Sequence, residues 1–278
     1  MNYISANDFQ GGRLQAAQPR TRLPNPAWAW EHLRRNPSYQ KDFFAIRHYR
    51  SKPINLKTGA TLLRERQRWP EAEKWGLLTF ADPALSALEA DVFWSPALLA
   101  GALPIELYNP GDSDREDQDE IVLSAIDSRR RLLDTVDGAR HILLSGERFW
   151  VQLICKKPAA IADFGAVAVS IKGAKHMKRR LDTADQLLAL YHSTGANLSL
   201  IGRSKNTERL TQGLLAFDIL QAGGSHRDIA EAVYGQQKVA ARWGGPSQYY
   251  EDWTRRLVSR VHHLIEGGYR DMLARKSL

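Results

Sequence analysis

The sequence predicts an α+β fold, mainly α, with a small helical N-terminal domain, a short antiparallel β-hairpin or sheet, and a C-terminal helical bundle. Three observations predict it. Apolar residues recur at helical spacing through most of the chain after Met177. Two apolar, β-rich runs, 140–144 and 148–155, flank the turn Ser145-Gly146-Glu147. Short helical patterns near the front are broken by Asn36-Pro37 and Pro70, because the residue before proline disfavours the helical backbone.

Residues 1–25 are polar, contain Gly11-Gly12, and run into the turn-forming Leu23-Pro24-Asn25-Pro26, which predicts a flexible arm. Residues 26–105 are expected to form the helical domain. They hold two short helices on either side of Asn36-Pro37, a helical pattern over 59–69 that Pro70 ends, and turns at Asp82-Pro83 and Ser95-Pro96. Trp28, Trp30, Trp69, Trp75 and Trp94 in this span are expected to pack a core rather than to form a partner surface. Residues 106–135 read as an acidic linker, since the carboxylates of 109–120 repel one another and lack apolar framing. Residues 136–278 carry the hairpin, a third strand within 164–171, and the helices that follow.

The composition is 43% hydrophobic and 25% charged, which places the chain among folded globular proteins. No apolar run approaches the roughly 20 residues needed to span a bilayer, and no secretory signal is visible at the front. One cysteine, Cys155, excludes an internal disulfide and is expected to fill the core. A soluble, cytoplasmic protein is expected. The net charge of +8 is unevenly placed: residues 171–278 hold 17 Lys and Arg against 10 Asp and Glu. A basic rear joined to a neutral front points to a polyanionic partner.

Three rear segments carry the argument for that partner. Leu210, Leu214, Phe217 and Leu220 recur at helical spacing within Thr207–Gln221, and Gly223-Gly224 stops the helix. Ser225 with Asp228 three residues on forms a capping-box pattern ahead of Ile229, Ala230 and Val233. The third segment, 246–266, opens on Pro246 and gathers Trp253, Leu257, Val258, Val261, Leu264 and Ile265 on an arc of about 140°. Gln248, Asp252, Arg255, Arg256, Ser259, Arg260, His262 and His263 occupy the other side.

Helix, short capped helix, longer basic helix is the order of a helix-turn-helix, whose last helix enters the major groove of double-stranded DNA with its N-terminal half against bases. A plain helical bundle with a basic solvent face produces the same pattern. The connection from Gly235 to Pro246 is longer than the usual tight turn, which makes the motif a variant. Arg255 and Arg256 are the first candidates for DNA contact. Gln248, Arg260 and Ser259 are next on the same segment, and Lys238, Arg242 and Arg227 are candidates for phosphates. Lys175, Lys178, Arg179 and Arg180 form a further basic cluster, readable as phosphate contact or as ordinary helix surface.

Ala230-Glu-Ala-Val-Tyr-Gly235, then Trp243, Arg255-Arg-Leu-Val and Gly267-Gly-Tyr-Arg-Asp-Met-Leu273 resemble the helix-turn-helix variant of proteobacterial integrative conjugative elements. The hairpin 141–153 resembles the start of the same domain, so the resemblance runs from about Arg140 to Leu273. At the front, Trp28-Ala-Trp-Glu-His-Leu-Arg-Arg-Asn-Pro37 with Tyr39, Trp75-Gly-Leu77, Phe80, Asp82-Pro83 and Phe93-Trp94 resemble the transcriptional-regulator-like domain that precedes it in the activators. The resemblance implies a two-domain activator of excision and transfer genes, acting as a homodimer on DNA. It also implies contact with RNA polymerase and control by a shorter, tail-only antiactivator. The chain departs from the family at Gly244-Gly245-Pro246 and Tyr249-Tyr250, where a more polar and basic helix start is usual. An antiactivator-like protein that binds another regulator without touching DNA is the alternative.

No nucleophile set, phosphate-cradling glycine loop or HExxH motif appears, so no catalytic residue is expected. Adjacent His262 and His263 point about 100° apart on a helix and make no metal pair, so neither metal nor cofactor is expected.

Overall fold

In the computed structural model the described residues are 23–49, 51–108, 120–156, 165–192 and 207–274. The expected arm, apart from its last three residues, and the acidic run 109–119 lie outside them.

The front opens with two helices, α1 (Asn25–Leu33) and α2 (Pro37–Ile46). Pro37 starts α2 at a position where its missing N–H is no loss, and the Asn36 side chain caps it by accepting from the N–H groups of Ser38 and Tyr39. Every residue of α1 from Ala27 to Leu33 is buried, Glu31 and His32 included.

The next span corrects the expectation of a helix over 59–69 in a mainly helical front. Residues 59–69 are not helical: β1 (Ile54–Asn55) and β2 (Thr61–Arg64) form a small hairpin there. Gly59, at φ 80°, makes its turn, which a side-chain-bearing residue adopts only under strain. Leu62 and Leu63 are both buried, on opposite faces, as in a strand covered on two sides. Pro70 begins rather than ends a helix, α3 (Pro70–Glu73).

β3 (Leu103–Tyr108), β4 (Arg129–Asp134), β5 (Arg140–Ser145), β6 (Trp150–Cys155) and β7 (Ala166–Val169) complete one seven-stranded sheet, in the order β1-β2-β4-β5-β6-β3-β7. The expected hairpin is present as β5–β6. The sheet is larger than that hairpin, however, and mixed, because β2–β4 and β3–β6 pair in parallel. β4 falls within the span read as linker. Its Leu132 and Leu133 are buried, and the guanidinium of Arg131, also buried, is ion-paired with Asp91 and donates to Ser145 Oγ. Cys155 is buried in this sheet, as expected of a core filler.

The rear comprises α4 (Met177–His192), α5 (Thr207–Gln221), α6 (His226–Tyr234), α7 (Gln236–Ala240), α8 (Tyr249–His263), a π turn over Leu264–Gly268 and α9 (Tyr269–Ala274). One apolar core joins front to rear. Trp28, Trp30, Tyr39, Phe80 and Trp94 from the front share it with Leu214, Phe217, Val261, Tyr269 and Leu273. The tryptophans at 28, 30, 69 and 94 are core residues, and Trp75 packs against them. Asn36 donates to the Ile265 carbonyl and Tyr269 Oη to the Trp75 carbonyl, so polar groups also cross this junction. No helix among the described residues is long and apolar enough to cross a membrane.

Candidate nucleic-acid interface

α5, α6 and α8 form a three-helix unit around Ala216, Ile219, Ile229 and Leu257, with Leu215, Leu220, Trp253 and Val258 packed against them. The capping box is formed as the sequence predicts: Ser225 Oγ accepts from the Asp228 N–H, and the Asp228 carboxylate accepts from the Ser225 N–H at 2.7 Å. The opposite faces of α5 and α8, through Leu210, Leu214, Phe217 and Val261, enter the main core. α8 is thereby held from two sides along its length.

α8 starts later than expected. Pro246 stands in a turn, where the Gly245 and Gln248 N–H groups donate back to the carbonyls of Arg242 and Gly245. Gln248 is the N-cap residue at φ 42°, and its side chain makes no capping hydrogen bond. It is therefore exposed at the head of the helix and not on its side. The long connection is ordered by a fourth short helix. Val239 of α7 is buried with Ala230 and Tyr250, and Tyr234 and Trp243 pack against that cluster. Tyr234 lies 4.9 Å from the Tyr250 ring and 4.8 Å from the Trp253 ring. Burial first, then a hydrogen bond with Tyr249, pushes its hydroxyl above the usual phenol range, so it stays protonated.

The buried side of α8 is Tyr250, Thr254, Leu257 and Val261. Its exposed side carries Arg255, Arg256, Ser259, Arg260 and His263, within an arc of about 140° that also holds half-buried Asp252. Arg255 is 73% exposed and pairs with Asp252 at 3.1 Å, while Arg256 Nε donates to the Asp252 carbonyl. These contacts lie along the helix and hold both guanidinium stems upright without burying the heads. Lys238 and Arg242 are exposed on α7 and the turn after it. Arg227, exposed at the start of α6, is paired with Glu231 at 2.9 Å.

Two further details differ from what the sequence predicts. His262 is half-buried and its ring lies 5.5 Å from that of Phe217, so it faces α5 and leaves the polar arc. The first turn of α8 is acidic: Glu251 Oε1 accepts from the Gly244 N–H, and Asp252 follows it. These carboxylates already complement the positive helix end, so the positive surface of α8 lies on its middle and last turns, where Arg255, Arg256 and Arg260 stand. Tyr249, 54% exposed at the first helical position, is a surface residue that the sequence marked only as a departure from the family and not as a contact candidate. The adjacent Tyr249-Tyr250 pair was the available signal, since neighbouring helical positions point in different directions and only one of the two can be buried.

Residues 171–274 match the model of a family described as T6SS, transcription factor, DNA binding domain. Residues 14–79 match that of the proteobacterial transcriptional regulator-like domain. Both are domains of transcriptional regulators. The three-helix unit, α4 and α9 lie inside the rear match, and the β5–β6 hairpin lies between the two matched segments. Among curated proteins none matches the chain.

Proposed function

We propose that the chain is a sequence-specific DNA-binding transcriptional activator that lays the exposed arc of α8 in the major groove of double-stranded DNA. The observation that carries this reading is the burial pattern of α8: one side is locked into two cores, and the other holds three arginines and a serine exposed to solvent. At 15 residues and about 22 Å the helix suits a groove. Arg255, Arg256 and Arg260 supply guanidinium forks for phosphates and guanine edges, and Ser259 a smaller hydrogen-bonding group. Gln248 reaches from the helix head, while Lys238, Arg242 and Arg227 serve the flanking phosphates. The match to a transcription-factor DNA-binding domain supports the same ligand.

The finer part of the proposal rests on the family resemblance. It names excision and conjugative transfer genes of a mobile element as the target, a cytoplasmic homodimer as the acting form, and RNA polymerase and a tail-only antiactivator as partners. The rear family's description mentions T6SS, so genes of that class are a second set of promoters to examine.

The test is an electrophoretic shift with the DNA flanking the chain's own gene, followed by footprinting. Arg255→Ala with Arg256→Ala is expected to weaken binding by about a hundredfold while the circular dichroism spectrum is kept. Undiminished binding by that variant overturns the role of α8. A wild-type chain without DNA affinity that holds another regulator equally well at low and high salt selects the antiactivator-like alternative instead.

A further inference from the structure

α4 lies against β3 and β6, and its buried Leu187 and Leu190 share one apolar core with Leu103, Ile105, Val151 and Leu153. Its outer flank is unexpectedly apolar. Met177, Leu181 and Leu188 are 41%, 53% and 43% exposed, and Ala184, half-buried, stands between them. Taking about 100° per residue, these four fall within an arc of about 60° and make a continuous stripe along the helix. Single exposed apolar residues are ordinary, but an aligned row of them on one helix marks a contact surface.

We propose that this stripe is where a second copy of the chain docks, α4 against α4 in antiparallel order about a two-fold axis. The spacing of the stripe is palindromic, with steps of four, three and four residues. An antiparallel copy therefore sets Met177 against the partner's Leu188 and Leu181 against the partner's small Ala184, so apolar side chains face one another along the whole stripe. The charges flanking the stripe agree. Lys178 and Asp185 are exposed on the same side of it, and neither forms an ion pair among the described residues. A two-fold axis perpendicular to the helices keeps that side together, so Lys178 meets the partner's Asp185 and the pair occurs twice. Parallel pairing would instead set the basic starts of the two helices, with Lys175, Lys178 and Arg179, beside each other.

The helix is about 24 Å long, so the stripe alone buries less than the roughly 800 Å² per partner of a stable interface, and the dimer is weak until two DNA half-sites hold both copies. That last point rests on the proposed function; the docking surface does not, and it is tested without DNA.

Sedimentation equilibrium of the full chain, DNA-free and up to high micromolar concentration, is expected to show a reversible monomer–dimer equilibrium. Leu181→Asp with Leu188→Asp removes apolar contact from both sides of the axis and should raise the dimer dissociation constant by at least about a hundredfold. Both positions are exposed, so thermal unfolding should stay close to wild type. Lys178→Glu and Asp185→Lys should each weaken the dimer, and the two combined in one chain should restore it. A chain monomeric at all concentrations overturns the proposal, as does a dimer indifferent to the double aspartate variant. Failure of the combined charge exchange to rescue association overturns the antiparallel arrangement.

Discussion

Arg35, just beyond α1, and Asp218 in α5 are 183 residues apart and joined by two parallel hydrogen bonds of 2.8 Å each, Nε to Oδ1 and Nη2 to Oδ2. Arg35 also donates to the Glu31 carboxylate and to the Glu31 carbonyl. Glu31 is fully buried and accepts from Arg34 and from the Ala87 N–H as well. Burial works against the Arg35 charge, but the hydrogen bonds of Asp218 and Glu31 outweigh it and raise its pKa. One guanidinium therefore fastens the front of the chain to the first helix of the three-helix unit.

Asp218→Ala is expected to lower stability by about 2 kcal/mol, because it strips a bidentate partner from a mostly buried charge. Arg35→Ala costs more, since Glu31 then keeps a buried carboxylate with one cation fewer. Urea unfolding of the two single variants and the double variant gives the coupling. A value near zero would mean that solvent replaces the bridge.

Stability is expected to fall under mild acid. The His32 ring is fully buried, its Nδ1 lies 2.7 Å from the Trp28 carbonyl, and burial lowers its pKa from 6.5 to about 4. Only the neutral ring fits, so its contribution is complete above pH 6.5 and is lost as the pH falls through about 4. At full extent this amounts to about 3 kcal/mol. Burial also lowers His141 to about 4, which adds to the same slope. Urea midpoints across that window measure the fall, and His32→Asn should flatten it.

Gly213 sits mid-helix in α5 against α8. A Cβ there would stand 3.5 Å from Val261 Cβ and 3.6 Å from its Cγ2, which is ordinary contact. Gly213→Ala is therefore expected to stabilise by roughly 0.5–1 kcal/mol through helix propensity. Gly213→Leu has no such room, should force α5 and α8 apart, and should weaken DNA binding together with stability. Thermal melts and shift assays on the pair separate the two effects.

Salt dependence distinguishes phosphate holders from base readers. Lys238→Ala and Arg242→Ala should each reduce the slope of log K against log salt by about one and weaken all sequences alike. A changed preference among sequences is expected from Arg255→Ala instead. Titrations of specific and scrambled duplexes at several salt concentrations decide between the two behaviours.

The two ends of the chain were readable because their signals are local. The Ser225–Asp228 box, the break at Asn36-Pro37 between two short helices and the 3.6-residue apolar rows of α5 and α8 act over a few residues, and the structure places all of them as read. Of the sheet, only the β5–β6 hairpin and the third strand β7 were readable. Residues 61–64 and 129–134 are short strands with few alternating positions, and they pair in parallel across some 70 intervening residues. Nothing in either segment alone names its partner. The late start of α8 was hidden for a similar reason, since Val239 and Trp243 pull the connection onto Tyr234 and Tyr250 before the helix can begin.

By itself the sequence determined that a basic, amphipathic helix closes a three-helix unit in the rear third, because charge and hydrophobic period are properties of single segments. Only the tertiary structure decided that front and rear share one core, that a seven-stranded mixed sheet runs through the span read as hairpin and linker, and which cations stay outside. Those outcomes depend on side chains far apart in sequence, such as Arg35 with Asp218 and Asn36 with Ile265, competing for the same buried space.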